Sequence, residues 1–337
     1  MTATFGPERW AFEITKVLNT VLGPEHFPIN VVELAQEYTA QRFPGDAITL
    51  AEGANLPGFD GALYHAPAGK KGWGIIYNNA LSSPGRINFT LAHEFGHYLL
   101  HRVDYPDGIR CNAQGVVRWD STYGQIEHQA NRFAANLLMP LDDFRRQIGP
   151  RVDADIDMIS DCADRYRVSL IAATLRWLSY TDRRAVLAIS RDGFILWSRA
   201  SETAWKTGAF FRTAGAPIEI PAASLAATQD QLIDGRTGVR HGPGVWFDEA
   251  VQEMTVFSEQ YDFTITLLLL AFHTNTCGPS MISQPTLPIS LCPADDQRLP
   301  LTYPSVGCSG ARVFVDRASA LDRHRGTRAA AQSVRRS

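Results

Sequence analysis

Cysteine is scarce in these 337 residues and never clustered. The five present (Cys111, Cys162, Cys277, Cys292 and Cys308) are odd in number and form no CxxC pair, so neither a disulfide scaffold nor a thiolate zinc knuckle is expected. Long hydrophobic runs are missing too. The longest, Phe263 to Phe272, is about half of the ~20 residues that span a bilayer, and Thr264 and Thr266 interrupt it. It reads as a buried strand, and no membrane partner is expected. The first residues carry Glu8 and Arg9 and no basic start followed by an apolar stretch, so no secretory signal is read and a cytoplasmic location is expected. Neither sign of charge dominates: 32 basic against 35 acidic residues leave −3, which gives no global field for gripping a polyanion. What is present is ordinary globular material, 45% hydrophobic and long enough for about two domains with a sizeable core.

Periodicity divides the chain. Ile14, Val17, Leu18 and Leu22 share one helical face, and Val31, Leu34 and Ala35 share another, so two helices open the sequence. Between Ile48 and Asn78, glycines alternate with apolar runs such as Trp73 to Tyr77, which predicts a small antiparallel sheet of hairpin strands. A helix follows from about Pro84 to His101, with Phe89, Ala92, Phe95, Gly96 and Leu99 on one face. Tyr105 to Tyr123 has no sustained period, and Gln125 to Met139 is helical up to Pro140, which is placed at the first turn of a short helix through Ile148. Ile156 to Leu178 supplies one or two more helices. From Arg184 the texture turns to strand: Ala185 to Ile189, a tight turn at Asp192-Gly193, then Phe194 to Trp197. Further strands are predicted at Pro217 to Ile220, Gly244 to Phe247, Glu253 to Ser258 and Phe263 to Phe272. The expected organisation is α+β throughout: a mostly helical unit with a small antiparallel sheet over 1–183, a β-rich α+β unit over 184–272, and a tail over 273–337. That tail has six prolines over 273–311, then seven arginines against two aspartates over 312–337, and disorder is its default reading. Its local charge of +5 suits nucleic acid or acidic proteins, though a solvated tail is the plainer reading.

The chemistry concentrates at His93-Glu94-Phe95-Gly96-His97, an HExxH string inside a predicted helix. With 3.6 residues per turn, positions i and i+4 stack on one face, so both imidazoles can reach one Zn²⁺ at ~2.1 Å while Glu94 points beside them as a candidate general base. The flanks Thr90-Leu91-Ala92 and Tyr98-Leu99-Leu100 are uncharged, as suits a metal helix buried under a cleft. A catalytic zinc takes a third protein ligand and keeps one position open. His101 lies about 12 Å along the axis from His93 and reads as a supporting or structural residue. Glu127 on the next long helix, with Asn131 on its face, is a candidate ligand; so are His128, about 100° around that helix, and Asp120 in Asp-Ser-Thr-Tyr-Gly, and spacing alone leaves all three open. Tyr98, Tyr123 and Arg86 are candidate oxyanion donors, but tyrosines near a helix start are more often half-buried packing residues, and none of the three is taken as catalytic.

The stretch from Arg86 to His101, then Glu127 to Pro140, resembles the ImmA/IrrE family of metallopeptidases, whose patterns RxxFTxAHExGHxxLH and ExxANxFAxxLLMP occur here in order. The resemblance covers about residues 10 to 180 and implies a zincin-like metallopeptidase domain for the unit over 1–183. It implies His93, His97 and Glu127 as ligands of one Zn²⁺, Glu94 as general base, and site-specific cleavage of a protein partner, a helix-turn-helix repressor, in stress response or mobile-element control. It also suggests a sensor-like unit similar to GAF domains as the counterpart of residues 184–272. Gln129 departs from the pattern, standing where many relatives have a second glutamate. About ten residues precede the first helix, with no helix-turn-helix module ahead of it, so direct DNA binding is not expected. Two rival readings stand beside the peptidase: a non-catalytic metal-binding sensor acting through residues 184–272, and a transcription regulator acting through the Arg-rich tail.

Overall fold

The structure, a computed structural model, describes residues 5–81, 83–112, 122–213, 215–229, 234–258 and 262–271. The proposed tail over 273–337 lies outside the described residues, as does Asp120. Among the described residues the architecture is mixed α+β, as expected.

Helix α1 (Pro7–Leu22) starts on Pro7, whose fixed φ suits a first turn, and buries Trp10, Ala11 and Ile14. Helix α2 (Val31–Arg42) is capped by Asn30, whose side chain accepts from the Glu33 N–H and donates to the Glu33 carboxylate at 3.0 Å. Strands β1 (Ile48–Ala54), β2 (Phe59–His65), β3 (Trp73–Asn78) and β4 (Gly108–Asn112) form a sheet in the order β1-β3-β2-β4. This sheet corrects one expectation, because it is mixed: β2 pairs antiparallel with β3 and β4, whereas β1 runs parallel to β3. Two chain reversals separate β1 from β3, so both point the same way, and β1 takes the edge of β3 because β4 occupies the other edge of β2. The close approach depends on Gly72 (φ +93°), since a Cβ there would lie 2.4 Å from the Ala47 carbonyl oxygen. Strand β4 itself comes from the stretch in which the sequence shows no period.

Helix α3 (Pro84–His101) lies against this sheet, and α4 (Thr122–Leu138) packs along α3. Then come α5 (Leu141–Gln147), for which Pro140 is the N-cap residue rather than part of the first turn, α6 (Ile156–Tyr166) and α7 (Leu170–Leu178). Asp155 and Ser169 cap the last two, each accepting a backbone N–H from three residues on.

The second sheet is antiparallel throughout, in the order β7-β6-β5-β10-β9-β8: β5 (Arg184–Arg191), β6 (Phe194–Ala200), β7 (Ile218–Glu219), β8 (Val239–His241), β9 (Val251–Ser258) and β10 (Phe263–Leu270). The β5–β6 turn is the predicted Asp192-Gly193, both with positive φ, the geometry whose twist matches flanking strands. Gly244 to Phe247, expected as a strand, is instead a turn closed by the Gly244 N–H on the Phe247 carbonyl at 2.7 Å. Gly242-Pro243-Gly244 opens it, and Trp246 is turned inward to donate to Glu253 at 2.8 Å. Short helices α8 (Glu202–Lys206) and α9 (Leu225–Thr228) cover one face of this sheet with Trp246, around Val186, Ala188 and Leu268. The opposite face, including Leu187, Ile189, Leu267 and Leu269, joins the same apolar cluster as α3, α4, α6 and α7. The polar contacts Arg236 with Asp157 and Ser160, and Arg183 with Asp153, stitch the two halves at the surface.

Beneath α5 and α6, the buried Asp143 accepts from the Tyr166 hydroxyl at 2.6 Å and from Arg146 and Arg165 at 2.8 and 3.2 Å. Burial pushes its carboxyl up, but these donors outweigh burial and hold it below its ordinary value. The folded pKa therefore lies below the unfolded one, near 3.9, so the stabilisation is complete above about pH 4 and is lost as pH falls through the folded value. Asp143→Asn is expected to cost about 1–3 kcal/mol at pH 7. In urea titrations the gap between variant and parent should close below about pH 4; a gap independent of pH would contradict this.

Candidate metal centre

Helix α3 is fixed at both ends before its middle can act. Its first turn is capped by Ser83, whose hydroxyl accepts from the Arg86 N–H. Arg86 grips Asp60 of β2 through Nε and Nη2 at 3.1 and 2.6 Å. A Cβ on Gly85 would strike the Val168 backbone at 2.6 Å, so that helix end packs directly on the chain entering α7. At the other end the Tyr98 hydroxyl donates to the Asp46 carbonyl at 2.7 Å, which makes Tyr98 a packing residue.

Between these anchors His93, Glu94 and His97 are buried, and His101, at the end of the helix, is buried too. Gly96 lets α4 come close: a Cβ there would sit 2.9 Å from the Phe133 ring and 3.3 Å from Ala130. That approach brings Glu127 to the histidines, with Oε2 3.2 Å from His93 Nε2 and Oε1 3.3 Å from His97 Nε2. The two Nε2 atoms are themselves 2.9 Å apart. Ligand atoms of His93, His97 and Glu127 thus lie within 4.8 Å of one another, a group that can hold a metal ion. His128, on the same helix, does not join them. Helix α4 directs a second residue at the site, Asn131, whose side-chain oxygen faces His93 Nδ1 at 2.9 Å. An amide oxygen only accepts, so His93 Nδ1 carries the proton and its Nε2 presents a lone pair to the centre. Two ring nitrogens and two carboxylate oxygens at this spacing suit a divalent cation.

The electrostatics bear out the crowding. Burial lowers His93, but the Glu127 carboxylate, which would accept from Nε2 in the protonated form, and the charge of Glu94 outweigh that and hold it above the usual histidine value. Burial and the neighbouring His93 push His97 down to about 4 against the pull of Glu127. Burial raises Glu127, and the two histidines override it, leaving its carboxyl well below the usual carboxylate range. The His97 side chain is fully buried, whereas His93 and Glu127 are 9% and 21% exposed, so the group is open to solvent on the Glu127 side.

Glu94 lies against β2. A Cβ on Gly61 would fall 2.8 Å from Glu94 Oε1 and 2.6 Å from the Thr90 methyl, so only glycine leaves this room. Sequence reasoning singled out neither Gly61 nor Asn131 as a partner of the HExxH helix. For Asn131 the signal was there, one helical turn beyond Glu127; for Gly61 it was not.

A helix-borne HExxH group facing a carboxylate from a second helix defines the metallopeptidase class of site. Residues 48–178 match the family model Peptidase_M78, described as the IrrE N-terminal-like domain, in agreement with the resemblance to ImmA/IrrE metallopeptidases. Comparison with curated proteins finds no match.

Gly61→Ala is expected to lower stability by about 1–3 kcal/mol through overpacking. Part should return when Thr90→Ser removes the nearer methyl. Urea denaturation of the single and double variants checks this, and an unchanged midpoint in Gly61→Ala would contradict it.

Proposed function

We propose that this protein is a zinc-dependent endopeptidase that hydrolyses a peptide bond in a protein partner, with one Zn²⁺ per chain held by His93, His97 and Glu127. The observation that carries the reading is the convergence of three ligand atoms within 4.8 Å, supplied by two helices. When bound, the ion supplies Lewis-acid polarisation of a carbonyl and makes a water easier to deprotonate. Glu94, buried against Gly61 on the helix that carries both histidines, is the base that takes the proton from the attacking water and returns it to the leaving amine. Glu127 and His93 line the open side, where an extended substrate segment approaches.

The family resemblance supports a helix-turn-helix repressor as the substrate, and stress response or mobile-element control in the cytoplasm as the setting. It also supports reading 1–183 as the peptidase unit and 184–272 as a sensor-like regulatory unit. No described helix is long and apolar enough to cross a membrane.

Mass spectrometry of zinc-reconstituted protein should find about one zinc in the parent and in Glu94→Gln, and little in His97→Ala or Glu127→Ala. Incubated with candidate helix-turn-helix repressors, Glu94→Gln should cleave roughly 10²–10⁴-fold more slowly than the parent. Equal cleavage by Glu94→Gln would remove it as the base, and zinc retained in Glu127→Ala would move the third ligand elsewhere.

A further inference from the structure

His97 is the most enclosed member of the centre, and the contacts behind it form a line. Its Nδ1 faces His101 Nδ1 at 3.0 Å, and His101 Nε2 faces the Gln129 side-chain oxygen at 3.1 Å. Gln129 sits on α4, two residues beyond Glu127, so both ends of the line rest on the same helix. We propose that Gln129, through His101, sets the tautomer of His97 and so makes its Nε2 available to a metal; the inference rests on the reading of His97 as a ligand.

The direction of each bond follows from what each atom can do. The Gln129 oxygen has lone pairs and no proton, so it accepts, and His101 Nε2 must donate. A neutral imidazole that carries its proton on Nε2 has a bare Nδ1, which can only accept. His97 Nδ1 must then carry a proton and donate it to His101, which leaves the lone pair of His97 on Nε2, the atom that faces Glu127 and His93. The reversed line fails: a donor in place of the Gln129 oxygen would make His101 Nε2 accept and its Nδ1 donate. His97 would then hold its proton on Nε2, pointed into the centre. His93 reaches the same state more simply, through the Asn131 oxygen on its Nδ1. One helix thus supplies a ligand, Glu127, and both acceptors, Asn131 and Gln129, that orient the histidines of the other helix. Gln129 supplies the one property the line requires, an acceptor oxygen. Gln129 and His101 are positioning residues; neither is assigned to touch substrate.

The test uses the full chain and the zinc ion itself. Zinc affinity, measured by competition with a chromogenic chelator, should stay within about threefold of the parent in Gln129→Glu, which keeps an acceptor. It should fall about 10–100-fold in Gln129→Lys, which offers only donors. Gln129→Leu, without either, should fall between them, and urea midpoints of the metal-free variants separate loss of ligand geometry from loss of folding. Nitrogen-15 spectra of histidine-labelled, zinc-loaded protein read the tautomers directly: His101 should carry its proton on Nε2 and His97 on Nδ1. A His101 protonated on Nδ1 while His97 binds zinc, or equal affinities in Gln129→Lys and Gln129→Glu, would overturn the relay alone. Zinc affinity unchanged in His97→Ala would instead overturn the ligand reading on which it rests.

Discussion

The close crossing of α3 and α4 over Gly96 is the contact on which the centre depends. Gly96 occupies one of the two free positions of HExxH, and the missing side chain lets Ala130 and Phe133 press against the helix backbone. A wider crossing would carry Glu127 away from both imidazoles, and with it Asn131 and Gln129, because all three project from the same stretch of α4. The interaction is therefore steric before it is chemical: small residues at a helix contact decide where a carboxylate and two acceptor oxygens arrive. The anchors at either end of α3, Arg86 on Asp60 of β2 and Tyr98 on the Asp46 carbonyl just ahead of β1, hold the helix against the first sheet while α4 holds it from the other side.

How much of the site can be read in the sequence depends on whether the partners are local. His93 and His97 are a single helical turn apart, so their shared face follows from the pitch of the helix alone. Glu127 lies 34 and 30 residues beyond His93 and His97, and spacing alone leaves it level with Asp120 and His128; the longer motif singles it out, and the fold brings it to the histidines. The Gln129–His101 and Asn131–His93 contacts pair residues 28 and 38 positions apart, and no periodicity reports such a pairing. Gly61 is the extreme case. In the sequence it is one turn-like glycine among several, and its meaning lies in the Glu94 and Thr90 side chains that occupy the space where its Cβ would be.

The fold shows the same division. Helices with one apolar face and the Asp192-Gly193 hairpin were legible because each is set by residues within a few positions. The parallel pairing of β1 with β3 was not, since strand direction in a sheet is decided by which edge is free when the chain returns. Strand β4 escaped notice because it is five residues long and owes its state to pairing with β2. Gly244 to Phe247 misled in the opposite sense: its apolar residues are buried, but through a turn that delivers the Trp246 indole to a buried carboxylate.

The apolar cluster runs without a break from the metal-centre helices into the face of the second sheet that carries Leu187 and Leu267. The change from helix to strand near Arg184 is thus a change of texture in the chain and not a seam in the interior. Heat or denaturant would find no weak plane there along which to part the halves, so they should come undone in one cooperative step. The link is α7: β5 lies against it, and the chain that enters it meets Gly85 at the start of α3, so the helix that carries His93 and His97 and the second sheet share one packed interior.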